Sequence, residues 1–155
     1  MPVLYTDANP KELVYVLEVA GYSSKSGHIY LPALTYIMQA EYLGIIYGIS
    51  EYINICNKEL EQRMYDFDQE ASKATGESVY AKVSTPSGET PRPLPPPVAV
   101  RCDNEVVVRQ LSKAGHIKSP DLRKLAMQVW KMTENLQVKF EWIPSEQDLA
   151  GKLLK

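Results

Sequence analysis

The sequence predicts an α/β domain: a mixed sheet with helices on its faces. Three observations carry that expectation. β-Branched and aromatic runs fill residues 3–31; from Leu34 the apolar residues switch to three- and four-residue spacing; and from Val98 strand-like and helix-like segments alternate.

Residues 3–8 form the first short strand, closed by an Asn9-Pro10 turn. Residues 13–22 read as a second strand. Ser23 to Gly27 supplies turn chemistry, and His28 to Leu31 a third short strand, so the N-terminus is a meander. Ile37, Glu41, Gly44, Ile45 and Gly48 then mark one helix face. Each glycine lowers helix propensity by roughly 1 kcal/mol. Their i, i+4 spacing points to close packing against a sheet. The helical pattern continues with interruptions to about Lys73, in an acidic tail.

Tyr80 to Val83 reads as a small strand. Six prolines in residues 84–97 then exclude helix and central strand, leaving an extended connector. Val98 to Cys102 reads as a buried strand ending in Asp103-Asn104. A helix follows over Val106 to Leu111 and stops at Gly115. Ser119-Pro120 starts another, with a serine cap and proline in the first turn. Leu122, Leu125, Ala126, Val129, Trp130 and Met132 give it an apolar face. Val138 to Ile143 alternates as a strand, and Glu146 to Lys155 reads as a terminal helix.

The chain has 155 residues, enough for one domain with a real core. It lacks an apolar run of membrane-spanning length and a signal-peptide layout, so a cytoplasmic, membrane-free protein is expected. Cys56 and Cys102 sit in apolar patterns and read as buried free thiols. Net charge is only −2. Residues 51–80 are acidic, whereas residues 99–155 carry ten basic side chains against seven acidic ones. That asymmetry allows a phosphate-facing surface on the C-terminal half.

Three acids stand where packing does not need them. Asp7 interrupts an apolar strand, Glu41 lies among apolar residues of a sheet-facing helix, and Asp103 ends the Val98–Cys102 strand. Burying one carboxylate unpaired costs several kcal/mol. No run of arginines offers partners, so a shared divalent cation is the economical solution. Hard oxygen ligands suit Mg²⁺ or Mn²⁺.

On these residues the sequence resembles the ribonuclease H-like superfamily, closest to type 1 ribonuclease H and the ribonuclease H domains of reverse transcriptases. Tyr5-Thr6-Asp7-Ala8 looks like that family's first strand, and Ala40-Glu41 like its first-helix motif. Arg101 to Leu111 resembles its fourth strand and following helix, Ile117 to Leu122 the next connection, and Phe140 to Pro144 the fifth strand. The resemblance implies a single ribonuclease H-like domain over residues 1–155, with residues 50–97 as an insertion between first helix and fourth strand. It also implies that Asp7, Glu41 and Asp103 hold two Mg²⁺ or Mn²⁺ ions when substrate is bound. Such ions lie about 3.5–4 Å apart, one activating water and one stabilising the departing oxygen.

The family's fourth carboxylate, in an Ala-Asp step, is absent: here the pair is Ala150-Gly151, followed by Lys152. Asp148, about one helical turn earlier, is the substitute. The loop histidine of some members is missing too; His28 and His116 read as surface residues. Substrate-binding candidates are Asn9, Asn104, Lys118, Lys124 and Lys152, within a wider basic set of Lys113, Arg123 and Lys131.

The expected function is metal-dependent endonucleolytic cleavage of the RNA strand of RNA–DNA hybrids, with Asp7, Glu41, Asp103 and Asp148 catalytic. The alternative is a non-catalytic ribonuclease H-like module binding nucleic acid, or a protein partner through residues 50–97. A third reading is a DNA-cutting relative of the transposase and integrase kind.

Overall fold

An open sheet is built from β1 (Val3–Asn9), β2 (Glu12–Glu18), β3 (Lys25–Tyr30), β4 (Val98–Cys102) and β5 (Val138–Trp142). The strand order is β3-β2-β1-β4-β5. The computed structural model describes residues 2–19, 25–33, 35–75, 96–113 and 116–154, and the side chains of the long helix as far as Lys58. Within these residues three α-helices accompany the sheet: α1 (Ile37–Thr75), α2 (Glu105–Leu111) and α3 (Pro120–Thr133). The chain divides into two units, Met1–Tyr52 with Pro95–Lys155, and Ile53–Leu94. In the second, the described residues are helical to Thr75.

β1 pairs antiparallel with β2, and β2 with β3, as a meander requires. β1 pairs parallel with β4, and β4 with β5. The sheet is therefore mixed. Its parallel half is covered through crossovers that carry the helices.

Alternation along β1 sorts its side chains between two faces. Toward α1 go Leu4, Thr6 and Ala8. A Cβ built on Gly48 would lie 2.7 Å from a Leu4 methyl, and one on Gly44 would lie 3.8 Å from the Cβ atoms of Thr6 and Leu13. The two glycines thus let the helix lie directly on the strand, as their spacing predicted. Ala40 closes the same face with Ala8 and Leu13. On the other face Tyr5, Val14 and Val16 pack with Ile143 and Ala150.

The Ser119 cap read in the sequence holds. The Ser119 hydroxyl accepts the Leu122 N–H, with Pro120 in the first turn of α3. Ala126 and Val129 are buried. The Trp130 indole N–H donates to the Leu111 carbonyl at 3.0 Å, tying α3 to the end of α2.

Several expectations change. α1 runs without interruption, consistent with the absence of proline between Pro32 and Pro86. β2 ends at Glu18 rather than Tyr22. The expected terminal helix is replaced by two 3₁₀ turns, Ser145–Gln147 and Gly151–Leu153, with Asp148 extended between them at φ −82°, ψ 108°. The Asp148 carboxylate there caps the Ala150 N–H and so competes with helical pairing. Tyr80 to Val83, most of the proline run and Gly115 lie outside the described residues. Pro96 accepts the Tyr52 hydroxyl at 2.6 Å. Among the described residues no helix is long and apolar enough to cross a membrane.

Candidate metal centre

The parallel register brings two aspartates together. β1 and β4 pair as far as Thr6 with Cys102. Asp7 and Asp103 come next, so they leave adjacent parallel strands at their C-terminal ends, where open α/β sheets gather ligands. Glu41 reaches this end from the second turn of α1 and is 4% exposed. Asp148 arrives from the C-terminal turns and is wholly buried.

One carboxylate oxygen each from Asp7, Asp103 and Asp148 lie within 4.8 Å of one another. Asp103 belongs equally to a second group of that size, with Glu41 and Cys102. The structure thus joins all four predicted acids through Asp103.

The centre is electrostatically unbalanced. Burial, and then repulsion from Asp103, raise the Asp7 carboxyl to about 6. Burial, Asp7 and Asp103 raise Asp148 to about 7. Burial, Asp7 and Asp103 hold Glu41 at about 9. Asp148 Oδ1 accepts the Ala150 N–H at 3.1 Å, while its Oδ2 is buried without a hydrogen-bond partner. Such an atom costs free energy unless something binds it. A divalent cation fits on both counts: it neutralises the crowded charge, and Asp148 Oδ2 is a hard donor ready to ligate it.

Position 151 lies against the same carboxylates. A Cβ on Gly151 would stand 2.9 Å from Asp7 Oδ2 and 3.9 Å from the Asp148 Cβ. Gly151 therefore leaves the space that the Asp7 carboxylate uses. Asp148 enters through a tight turn, not through the i, i+3 geometry of a helix.

The other candidates are more dispersed. Asn9 Oδ1 accepts the N–H groups of Lys11 and Glu12, which shapes the β1–β2 turn. Asn104 Oδ1 caps α2 through the Val106 and Val107 N–H groups, and its amide nitrogen lies 3.5 Å from Met38 Sδ. Both carbonyl oxygens already have structural partners. Lys118, Lys124 and Lys152 are exposed, and Lys152 follows Gly151 beside the centre. Lys113 lies beyond the far end of α2, with its ammonium 5.4 Å from the Trp130 ring centre. Arg123 donates to the Ile117 carbonyl. His28 meets Glu12 at 2.6 Å on the β2–β3 surface, and His116 is exposed.

Two neighbours were missed. Cys102 is wholly buried; its thiol faces Glu41 Oε2 at 3.6 Å and accepts the Asn104 N–H at 3.4 Å. Trp142 is half exposed, and its indole N–H donates to the Asp103 carbonyl at 3.1 Å. The available signals were adjacency to Asp103 for the first and the matching strand ends for the second.

Comparison with known proteins bears on the fold. Residues 95–152 match the family described as reverse transcriptase-like. No curated protein sequence matches. Among solved structures, the chain resembles the N-terminal ribonuclease H domain of a Mycobacterium tuberculosis protein at 21% identity and TM-score 0.59, covering 95% of this chain and 84% of that one. Ribonuclease H1 from Halobacterium salinarum aligns at 15% identity and TM-score 0.59, over 99% and 91% of the two chains. LC11 ribonuclease H1, obtained from compost by a metagenomic approach and solved with an RNA/DNA hybrid, aligns at 17% identity and TM-score 0.60 over the full length of both. The fold is ribonuclease H-like. The matched segment runs from the start of β4 to the C-terminal turns of that fold.

Proposed function

We propose that the protein is a metal-dependent endonuclease that cleaves the RNA strand of RNA–DNA hybrids. The observation that carries this reading is the convergence of Asp7, Asp103 and Asp148 within 4.8 Å, with Asp148 Oδ2 buried and partnerless. Asp7, Glu41 and Asp103, joined by Asp148, would hold Mg²⁺ or Mn²⁺, two ions with substrate present. When bound, the ions supply an activated water and neutralise charge on the departing oxygen. The fold's likeness to a ribonuclease H1 solved with an RNA/DNA hybrid supports the substrate choice.

The chain's own residues define the rest. Asp103 ties the two groups, so its carboxylate orients whatever both bind. Trp142 fixes the Asp103 backbone through its indole N–H. Lys152 stands beside the centre as a phosphate contact, and Lys118 and Lys124 supply further positive charge along the strand. We read residues 50–97 as an insertion in a single ribonuclease H-like domain, offering a surface for a protein partner.

The test is incubation of the purified chain with labelled RNA–DNA hybrid and Mg²⁺ or Mn²⁺, beside Asp103→Asn. Cleavage of the RNA strand that Asp103→Asn abolishes is expected. A folded protein inactive with both metals would sink the enzyme and leave the binding module.

A further inference from the structure

The parts of α1 on either side of Tyr52 follow different sequence rules. Within the sheet-bearing unit, Gly44 and Gly48 set its close approach to β1. From Ile53 to Thr75 the same helix continues in the second unit, for about three heptads and about 34 Å. There the apolar residues recur at alternating steps of four and three. Ile53, Leu60, Phe67 and Ala74 take the d positions of a heptad, and Asn57, Met64 and Ala71 the a positions. The b, c and f positions are polar apart from Ile55 and Tyr65.

We propose that residues 53–75 form a parallel two-stranded coiled coil with a second copy of this chain. A helix with such a seam gains its stability by burying it. Residues 76–94, with Gly76, Pro86, Gly88, Pro91 and Pro93, do not supply a second helix of matching length. Another molecule must therefore supply it. The inference deepens the reading of residues 50–97 as a partner surface, on which it rests, and is independent of the metal centre.

The register selects an identical copy in parallel orientation. Asn57 is the polar exception among the a and d positions, and it is exposed in the single chain. In a parallel pair it meets itself, so each amide hydrogen-bonds the other. An asparagine at a fixes register and the two-stranded state. Arg63 at g faces Asp68 at the following e of the second copy, and twofold symmetry repeats the pair. An antiparallel pair would set the acidic e residues Glu61 and Asp68 against each other, and Asn57 against an apolar side chain.

Sedimentation equilibrium of the full chain, from low to high micromolar concentration, reads the association directly. The mass should rise with concentration from 17.5 kDa toward twice that value. Leu60→Asp puts a charge in the seam and should weaken the dimer by at least about tenfold. Phe67→Asp carries the same test should the first variant fail to fold. Gln62→Ala, at an f position, should leave association unchanged. Asn57→Leu should tighten association and admit larger oligomers. Ala74→Cys in a Cys56→Ser background reads orientation, because oxidation of a parallel pair should link the two copies through position 74. A monomer at every concentration overturns the proposal and leaves a different protein as the partner of this surface. A dimer that both aspartate variants leave intact overturns it too, as does an Ala74→Cys dimer that does not cross-link. A dimer that cleaves no hybrid sinks the nuclease alone, and a monomer that cleaves it sinks this inference alone.

Discussion

The two ends of the β1–β4 seam are built from the same parallel pairing and serve opposite purposes. At its start Leu4, Val98, Ala99 and Val100 are nearly or wholly buried, and Gly48 brings α1 directly against Leu4. At its finish Asp7 and Asp103 meet Glu41 and Asp148, with three of the four acids held above their ordinary range by burial and mutual repulsion. One end stabilises the fold. The other costs stability, as functional sites commonly do. The difference teaches that the acids are held in place by packing elsewhere, not by favourable contacts among themselves.

The comparison can be broken most sharply at Asp103. Asp103→Asn should eliminate hybrid cleavage while raising the thermal stability of the metal-free protein, because it removes a charge from the crowd. A stability loss in metal-free buffer would contradict the electrostatic account. At the other end, Leu4→Ala should cost about 2–5 kcal/mol in denaturant unfolding, as cavity-forming substitutions do. Cleavage per folded molecule and Mn²⁺ affinity should stay unchanged.

Gly151 tests the proposal that Asp148 serves as the fourth acid. Gly151→Asp alone should place a side chain against Asp7 Oδ2 and lower cleavage by about tenfold or more. Asp148→Ala should be equally harmful. The double variant Asp148→Ala/Gly151→Asp should recover part of the loss, since it moves the carboxylate without crowding it. Equal activity of the double variant and Asp148→Ala would refute the exchange.

A last test is in pH. Asp7, Asp148 and Glu41 have folded-state values near 6, 7 and 9, above those of an unfolded chain. Groups raised on folding contribute stability that is full below the unfolded value, about 4, and is lost as pH rises through the folded ones. Without metal, their contribution should therefore fall from about pH 4 toward pH 9. Mg²⁺ should stabilise more at pH 9 than at pH 5, because it binds the ionised forms. Thermal unfolding at both pH values, with and without Mg²⁺, measures the sign.

Where signals were local, the sequence was readable. β4 and the Ser119-Pro120 start of α3 stand where their side chains announced them, and Gly44 with Gly48 marked the contact of α1 with the sheet. Asp7, Glu41 and Asp103 were legible because an acid in an apolar strand or on a buried helix face has no packing reason. Asp148 was named for the wrong geometry. Residues 146–155 read as a terminal helix, whereas the Asp148 side chain bonds the Ala150 backbone and two short turns result. Asn104, read as a substrate contact, has a structural role the reading did not include: its side-chain oxygen caps the free N–H groups at the start of α2. Cys102 was hidden because a thiol in an apolar run is indistinguishable from core until Glu41 is known to face it.

The parallel register of β1 with β4 also has a consequence for the order in which the molecule assembles. The antiparallel hairpins of β1, β2 and β3 close through short connections, but β4 must return across residues 31–97 before Asp103 can stand beside Asp7. Loop closure over such a separation makes this pairing slow relative to the hairpins. The centre thus comes into being with the most distant strand pairing in the sheet. A cation bound there would act late on the folding path, slowing the escape from the native state more than it hastens arrival.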